Sequence, residues 1–444
     1  MSYDEPLKKN NLYITNPSFI NGDGWLEEQC VINGRLNSRF FVGAYSLIDI
    51  GCYCSNTFIG RFSIVDKNVR IGYPKIRTEN NFSNHPFSMD TPFIASDEYY
   101  KKIKTSRFYY EQNKYTIIGS DVFIGQNSII EEGCVIGDGA VIQPNTYVNF
   151  DIDDYAVIGG NPARVLGYRF DEETRIKLKK IKWWKKDISS IMYKNKPNTI
   201  DYINNPALID ELFIIKDSIP LLIKKRYHFN SNKKTIIEDK KTDLITGPSH
   251  VDLWYKKYNK DDVSKPNKYH LLPIPALSLF SQQLDNLIAW WNEWFGQVIL
   301  FVPDFRIGNV CTDSKIKDGR FIRQDLVSNE NSIKCFELGK KQLDKFIGNY
   351  DIKFFFWCLL GREEFNKAKN NYNNNNGNYR HPIWNYDDII KEYLPYTIDI
   401  KKYIPNVLDS IIDASIHPTN KCYDELSKIF DSLKDNESIP TSRN

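Results

Sequence analysis

Residues 117–160 read IIGSDVFIGQNSIIEEGCVIGDGAVIQPNTYVNFDIDDYAVIGG. Ile118, Ile124, Ile130, Ile136, Ile142 and Val148 fall on a strict period of six. Four residues beyond them stand Val122, Ser128, Cys134, Ala140, Thr146 and Ile152, all small or β-branched, and Gly119, Gly125 and Gly137 follow three of the aliphatic residues directly. Amphipathic helices repeat near 3.6 residues and strands at 2, so a sustained six demands another shape. A triangular parallel β-coil supplies it. Each side is a short strand, the aliphatic residue points inward, the small residue sits at the corner, and each turn buries its face only by stacking on the next.

Working outward, the period first shows at Val42 and Ile48, slips, resumes at Ile59, Val65 and Ile71, breaks, and returns at Ile118. Residues 1–36, with short strands expected around Asn11–Thr15 and Cys30–Ile32, read as a cap on the open end of the coil, because solenoid ends must be covered. The break, Tyr73–Tyr115, holds TENNFSNHPFSMDTPFIASDEYY. A long loop on a rigid coil is where function concentrates. After the coil come GGNPARVLGYRF, Gly159–Phe170, and a helical stretch, Asp171–Ile191. The Asn161-Pro162 turn ends the coil, and Trp183 and Trp184 read as a hydrophobic anchor on its outer face.

Composition narrows the class. Across 444 residues, 41% hydrophobic and 14% aromatic content supports packed cores rather than disorder. The net charge is +3 with no basic block, so a nucleic-acid partner is not indicated. The eight cysteines are scattered and form no CxxC pair. That pattern reads as reduced thiols, no metal site and a cytoplasmic protein. The N-terminal residues lack the apolar core of a signal peptide, and no apolar run reaches transmembrane length; no membrane segment is expected.

His85 lies in the loop among Asn, Ser and Pro, away from any apolar face. Imidazole titrates near neutral pH, so a histidine in an exposed loop can serve as a general base. On sequence alone a loop histidine making a local hydrogen bond is an equal reading. Asn84 and Asp90 could orient the ring or bind substrate, or simply shape the turn. Small corner residues such as Gly125, Gly139 and Ala140 make ordinary coil turns, and would also allow close approach of a long, thin ligand, with backbone groups free to pair with it.

The six-residue repeat, NHPF at Asn84–Phe87, GNPARV at Gly160–Val165 and the helix with the Trp pair together resemble the xenobiotic acetyltransferase branch of the hexapeptide-repeat acyltransferases. The likeness covers roughly residues 40–210 and implies a left-handed parallel β-helix, acetyl-CoA as co-substrate and His85 as the base. It also implies a homotrimer whose neighbouring coils close the donor groove. Asn161, Arg164 and Arg169 would then lie where the family holds the nucleotide end of coenzyme A, though a structural salt bridge is the competing reading for Arg164.

The second half has no period of six. A short strand-like run at Thr242–Thr246 and buried strands expected at Gln297–Pro303 and Lys353–Leu360 alternate with helices at Leu277–Phe295, Lys334–Tyr350 and Tyr423–Leu433, which indicates an α/β domain with a parallel sheet. ITGPSHVDL at its start and DASIHPT near its end resemble the SGNH hydrolases. The resemblance makes Ser249 a nucleophile, His417 its base and Asp413 the orienting carboxylate, with Gly308, Asn309 and Gly361 near an oxyanion hole. Pro248 replaces the family's Asp, the Asp–His spacing is one residue longer, and His250 is a rival base.

The expected division is therefore a hexapeptide-repeat acetyltransferase domain at 1–210, a helical linker at 211–241 and an SGNH-like α/β domain at 242–444. The expected function is O-acetylation of a bacterial surface polysaccharide or its precursor, a carbohydrate acceptor. Competing readings are an antibiotic acetyltransferase with an accessory domain, a bifunctional acetyltransferase and esterase, and a non-catalytic trimeric scaffold.

Overall fold

The structure is a computed structural model that describes residues 7–9, 12–74, 114–186, 226–230, 235–239, 242–274, 282–302, 316–317, 320–321, 329–357, 391–393, 396–398, 403–404 and 418–437. The chain divides into two compact units, Met1–Lys240 and Lys241–Asn444.

The first unit is a three-sided parallel coil. One face stacks β2 (Leu12–Ile14), β4 (Val31–Ile32), β6 (Leu47–Ile48), β8 (Ile64–Val65), β11 (Phe123–Ile124), β14 (Val141–Ile142) and β16 (Ala156–Gly159). β1 (Leu7–Lys9) and β17 (Arg164–Tyr168) close its two ends in antiparallel pairing. Three longer strands, β3 (Ile20–Glu27), β5 (Arg35–Val42) and β7 (Tyr53–Ile59), turn a corner and serve the other two faces. β9 (Arg70–Tyr73), β12 (Ile129–Glu131) and β15 (Tyr147–Val148) continue one of these faces. β10 (Thr116–Ile118) and β13 (Val135–Ile136) continue the other. The aliphatic residues on the period of six point inward as expected: Ile118, Ile124, Ile130, Ile136, Ile142 and Val148 are buried in one continuous core. The turn across the break is made directly, because β7 pairs with β10 in register, Ile59 beside Ile118.

Two expectations about this unit are corrected. Residues 12–32 do not cap the coil; they are its first turn. Ile14, Ile20, Leu26 and Ile32 keep the same period of six and are buried in the same core. Gly22 and Gly24 lie in β3. They are glycine because a Cβ at either would stand 2.1 Å from the carbonyl oxygen of Ser38 or Phe40 on the next turn. The segment expected as a helical linker at 211–241 is also different where it is described. β18 (Arg226–Asn230) and β19 (Thr235–Asp239) form a hairpin that extends the coil's sheet, β18 pairing antiparallel with β3. Its alternation has the period of a strand: Tyr227 and Phe229 enter the coil core, while His228 bonds Asp23 and Arg226 bonds Asp239. The first unit therefore runs past residue 210, to Lys240.

The stretch expected as a helix after the coil forms α1 (Glu172–Ile181), capped by the Asp171 carboxylate on the Thr174 amide. Lys182 ends it in the left-handed region, and a short 3-10 turn follows at Trp183–Lys185. Trp184 is buried and Trp183 packs on Phe62, so the pair is the anchor expected of it.

The second unit has a four-stranded parallel sheet in the order β21-β20-β22-β25: β21 (Tyr269–Pro273), β20 (Asp243–Gly247), β22 (Val298–Val302) and β25 (Ile352–Phe356). Thr397 adds a parallel bridge to Phe354. A separate ribbon joins β23 (Ile316–Lys317) and β24 (Arg320–Phe321). The helices are α2 (Ser249–Asn259), α3 (Gln282–Trp294), α4 (Asn329–Asn349) and α5 (Asn420–Glu437). β20, β21 and β22 are buried throughout, and β22, VILFV, reads as an unbroken apolar run for that reason; β21, YHLLP, was not expected as a strand. On α5, Tyr423 and Phe430 pack on Trp254 of α2, and Phe430 also meets Phe355 of β25.

Candidate functional site

His85, Asn84 and Asp90 lie outside the described residues. The root of their loop is described, and both of its ends are fastened to β12 and the turn after it. The Glu132 amide donates to the Tyr73 carbonyl at 2.9 Å where the chain leaves the coil. The Gly133 amide donates to Thr116 Oγ1 at 3.2 Å where it returns. Between these points the pairing of β9 with β12 slips at Ile130/Glu131, a bulge of the kind that re-aims a side chain beside a functional loop. Glu131 is thereby left buried, with the Tyr147 hydroxyl donating to its carboxylate from the next turn. Burial and that carboxylate push the Tyr147 phenol up to about 12, so it stays protonated. No motif marked this pair in the sequence.

The expected donor-binding residues meet different fates. The amides of Gly125, Gly139 and Ala140 are all spent inside the coil, on the carbonyls of Ile142, Ser120 and Gly137. Ala140 is fully buried and its carbonyl accepts from Phe123. A donor can therefore use only spare carbonyl lone pairs on these corners, not their N–H groups. Gly139 has a φ of 71°, and a Cβ there would lie 2.3 Å from the Tyr155 ring. The glycine is required by the packing of the corner, whatever else it touches.

Arg164 and Arg169 separate. Arg169 Nη1 donates to the Gly139 carbonyl at 2.7 Å and to the Asp121 carboxylate at 2.9 Å, and the guanidinium lies over the Tyr155 and Phe170 rings. It ties three successive turns together. Burial raises the Asp121 carboxyl above its usual range, and Arg169 partly offsets that. Arg164 is exposed at the start of β17 and has no ion-pair partner among the described residues. Asn161 is exposed beside it, in a turn held by the Tyr147 amide on the Gly160 carbonyl and the Ala163 amide on the Tyr147 carbonyl. A cation and an amide thus stand free at the coil's end, on the turn that packs against Tyr147.

In the second unit, Ser249 is exposed at the first helical position of α2, directly after β20. The N-cap is Pro248, so Ser249 does not cap the helix. Gly247 before them leaves no room for a side chain, since a Cβ would meet Phe301 at 2.8 Å. His250 is buried and stacked on Phe301, which takes it out of reach as a rival base. Asp413, His417, Gly308, Asn309 and Gly361 lie outside the described residues. α5, which begins three residues after His417, meets α2 near Ser249: the Tyr423 hydroxyl donates to the His250 carbonyl at 2.8 Å. Among the described residues no group of His, Cys, Asp and Glu could hold a metal ion, and no helix is long and apolar enough to cross a membrane.

The coil and its loop root define a class, and comparison with known proteins agrees. Residues 115–149 match the bacterial transferase hexapeptide family (six repeats). The chain is 30% identical over 189 residues to a chloramphenicol acetyltransferase of Agrobacterium fabrum, spanning 41% of this chain and 80% of that protein. It is 28% identical over 120 residues to a putative lipopolysaccharide biosynthesis O-acetyl transferase, WbbJ, of Escherichia coli, spanning 27% of this chain and 53% of that protein. Among solved structures it is similar to a hexapeptide-repeat acetyltransferase of Vibrio cholerae complexed with acetyl coenzyme A, at 18% identity and a TM-score of 0.24, covering 34% of this chain and 72% of that one. The chain belongs to the hexapeptide-repeat acetyltransferases. Its coil is the stacked hexapeptide repeat of that family, and it is an acetyltransferase.

Proposed function

We propose that this enzyme moves the acetyl group of acetyl-CoA to a hydroxyl of a bacterial surface polysaccharide or its precursor, with His85 as general base. The observation that carries the reading is the break in the coil. The chain leaves between β9 and β10, both ends of the excursion are fastened at β12, and the excursion holds NHPF. His85 takes the proton of the acceptor hydroxyl as its oxygen attacks the thioester carbonyl. The same proton is then available to the departing thiolate, so no covalent enzyme intermediate is needed. Arg164 and Asn161 hold the nucleotide end of the donor, and its arm lies along the corner at Gly125, Gly139 and Ala140. Asn84 and Asp90 orient the imidazole or the acceptor. A homotrimer, which would close the groove with a neighbouring coil, and a cytoplasmic location, where acetyl-CoA is made, complete the reading. A second unit on an acetyltransferase coil favours a large acceptor over a small antibiotic, and one relative is named for lipopolysaccharide biosynthesis.

Acetyl-CoA presented with a panel of capsule-type oligosaccharides should add one acetyl mass to one member. His85→Ala should lower that turnover by roughly 10²–10⁴-fold with assembly intact. Near-normal turnover in an assembled variant removes His85 from the mechanism.

A second reading attaches to the second unit. The exposed Ser249 follows β20, where the strand order reverses between β21 and β22, the place where open parallel sheets bind ligands. An SGNH-like site with His417 and Asp413 would make the chain a bifunctional acetyltransferase and esterase.

A further inference from the structure

The face built by β5, β7, β9, β12 and β15 presents one outward row. Arg35, Tyr53, Arg70, Ile129 and Tyr147 are directly in register across successive strands. Their inward neighbours Leu36, Cys54, Ile71, Ile130 and Val148 fill the core, so the strand pleat sends these five outward. Arg35, Tyr53 and Arg70 are exposed and Tyr147 half-buried. Neither arginine has an ion-pair partner among the described residues; Arg35 rests on the Phe19 ring, its guanidinium 5.0 Å from the centroid. The parallel row one pleat further on is neutral at Asn21, Asn37 and Ser55 and reaches its acid only at Glu131, which Tyr147 holds. The acids of the adjacent corner, Asp49 and Asp66, are bonded to the amides of Ile50 and Lys67.

Strands lie about 4.8 Å apart, so the two arginines stand about 10 Å from each other and the row extends about 19 Å. An extended pyranose chain advances about one such spacing per sugar. A residue with a flat ring can take the apolar face of a sugar, and a guanidinium takes a carboxylate or phosphate in two parallel hydrogen bonds. The row ends at Tyr147 and Glu131, beneath the root of the His85 loop. We propose that this face is an acceptor track for an extended acidic polysaccharide. Arg35 and Arg70 hold anionic groups on alternate sugars, Tyr53 stacks on the sugar between them, and the chain is led toward the loop. The inference rests on the glycan-acceptor reading above and narrows it to acidic polymers.

The test uses the full chain and two probes of equal length, an oligogalacturonate and its neutral methyl ester, with binding followed by calorimetry at two salt concentrations. The acidic probe should bind more tightly than the ester. Arg35→Glu with Arg70→Glu should weaken it at least about tenfold and reduce the salt dependence by one to two counter-ions, about one per lost contact. Arg35→Lys with Arg70→Lys should retain most of the affinity, and melting and circular dichroism should match the parent in both. Equal binding of the ester, unchanged affinity in the Glu pair, or equally tight binding of an oligothymidylate of the same length overturns the track. So does a change in solution mass on light scattering, which would make the face a contact between copies. Acetylation of a glycan undiminished in the Glu pair sinks the track and leaves the function standing. Selective binding of the acidic probe with no glycan ever acetylated sinks the function and leaves the track.

Discussion

Removing Arg169 separates the two roles open to the arginines at the end of the coil. In Arg169→Ala the Gly139 carbonyl loses a charged donor, worth about 1.5–3 kcal/mol. The half-exposed pair with Asp121 adds about 0.5 kcal/mol after screening, and the contacts over Tyr155 and Phe170 add about 0.5–1 kcal/mol. A loss of about 3 kcal/mol lowers the melting point of a unit this size by roughly 6–12 °C. The pH dependence has a definite sign. Asp121 is raised above its ordinary value by burial, so its charge costs the folded state stability at neutral pH, and that cost is relieved as pH falls through the raised folded value. Arg169 offsets part of the cost, so the gap between variant and parent should be widest near pH 7 and narrow toward about pH 4. The KM for acetyl-CoA should move less than about threefold. Arg164→Ala, at an exposed cation with no ion-pair partner among the described residues, should do the reverse: no change in melting and a rise of about tenfold in that KM, the loss of about 1.4 kcal/mol of phosphate contact. Differential scanning calorimetry across pH, with initial rates over a range of acetyl-CoA, reads both. If Arg169→Ala melts like the parent while its KM for acetyl-CoA rises, the assignment of the two arginines is inverted.

Ending the chain at residue 240 should leave a folded coil, whereas ending it at 225 should lower its melting point, because Phe229 and Tyr227 leave the core and β3 becomes an open edge; equal melting would show that the hairpin contributes nothing. Cys30, Cys52, Cys54 and Cys134 are buried, and burial raises the thiols of the first three, that of Cys52 to about 11. Ellman's reagent at about pH 8 should not label these four in the folded protein, and prompt labelling of any of them would contradict the packing. A serine-directed phosphonate should label Ser249 and fail to do so in His417→Ala; a mass map with no adduct there makes the second unit a binding or structural element.

The coil was written in the chain because a period of six has one physical solution, and every turn repeats it. Ile118 to Val148 announced their inward positions, and the family could be argued from them together with NHPF and GNPARV. The first turn is equally periodic at Ile14, Ile20, Leu26 and Ile32, though Gly22 and Gly24 interrupt it. A glycine demanded by the next turn's backbone looks, in sequence, like a glycine demanded by a loop. The parallel sheet of the second unit was legible where its strands are apolar, at β22 and β25; β21, with Tyr269 and His270, was missed. What only the tertiary structure decided are the pairings between distant residues. The hairpin at 226–239 becomes part of the coil because β3 offers it an edge, a fact about residues two hundred positions away. Arg164 and Arg169 are five residues apart and chemically alike, and only the placement of Asp121 and Gly139 on earlier turns commits Arg169 and leaves Arg164 without an ion-pair partner among the described residues. Arg35, Tyr53, Arg70 and Tyr147 carry no local pattern either. They form a row because turns of slightly unequal length stack in register, and register is set by the core, not by the residues that face outward.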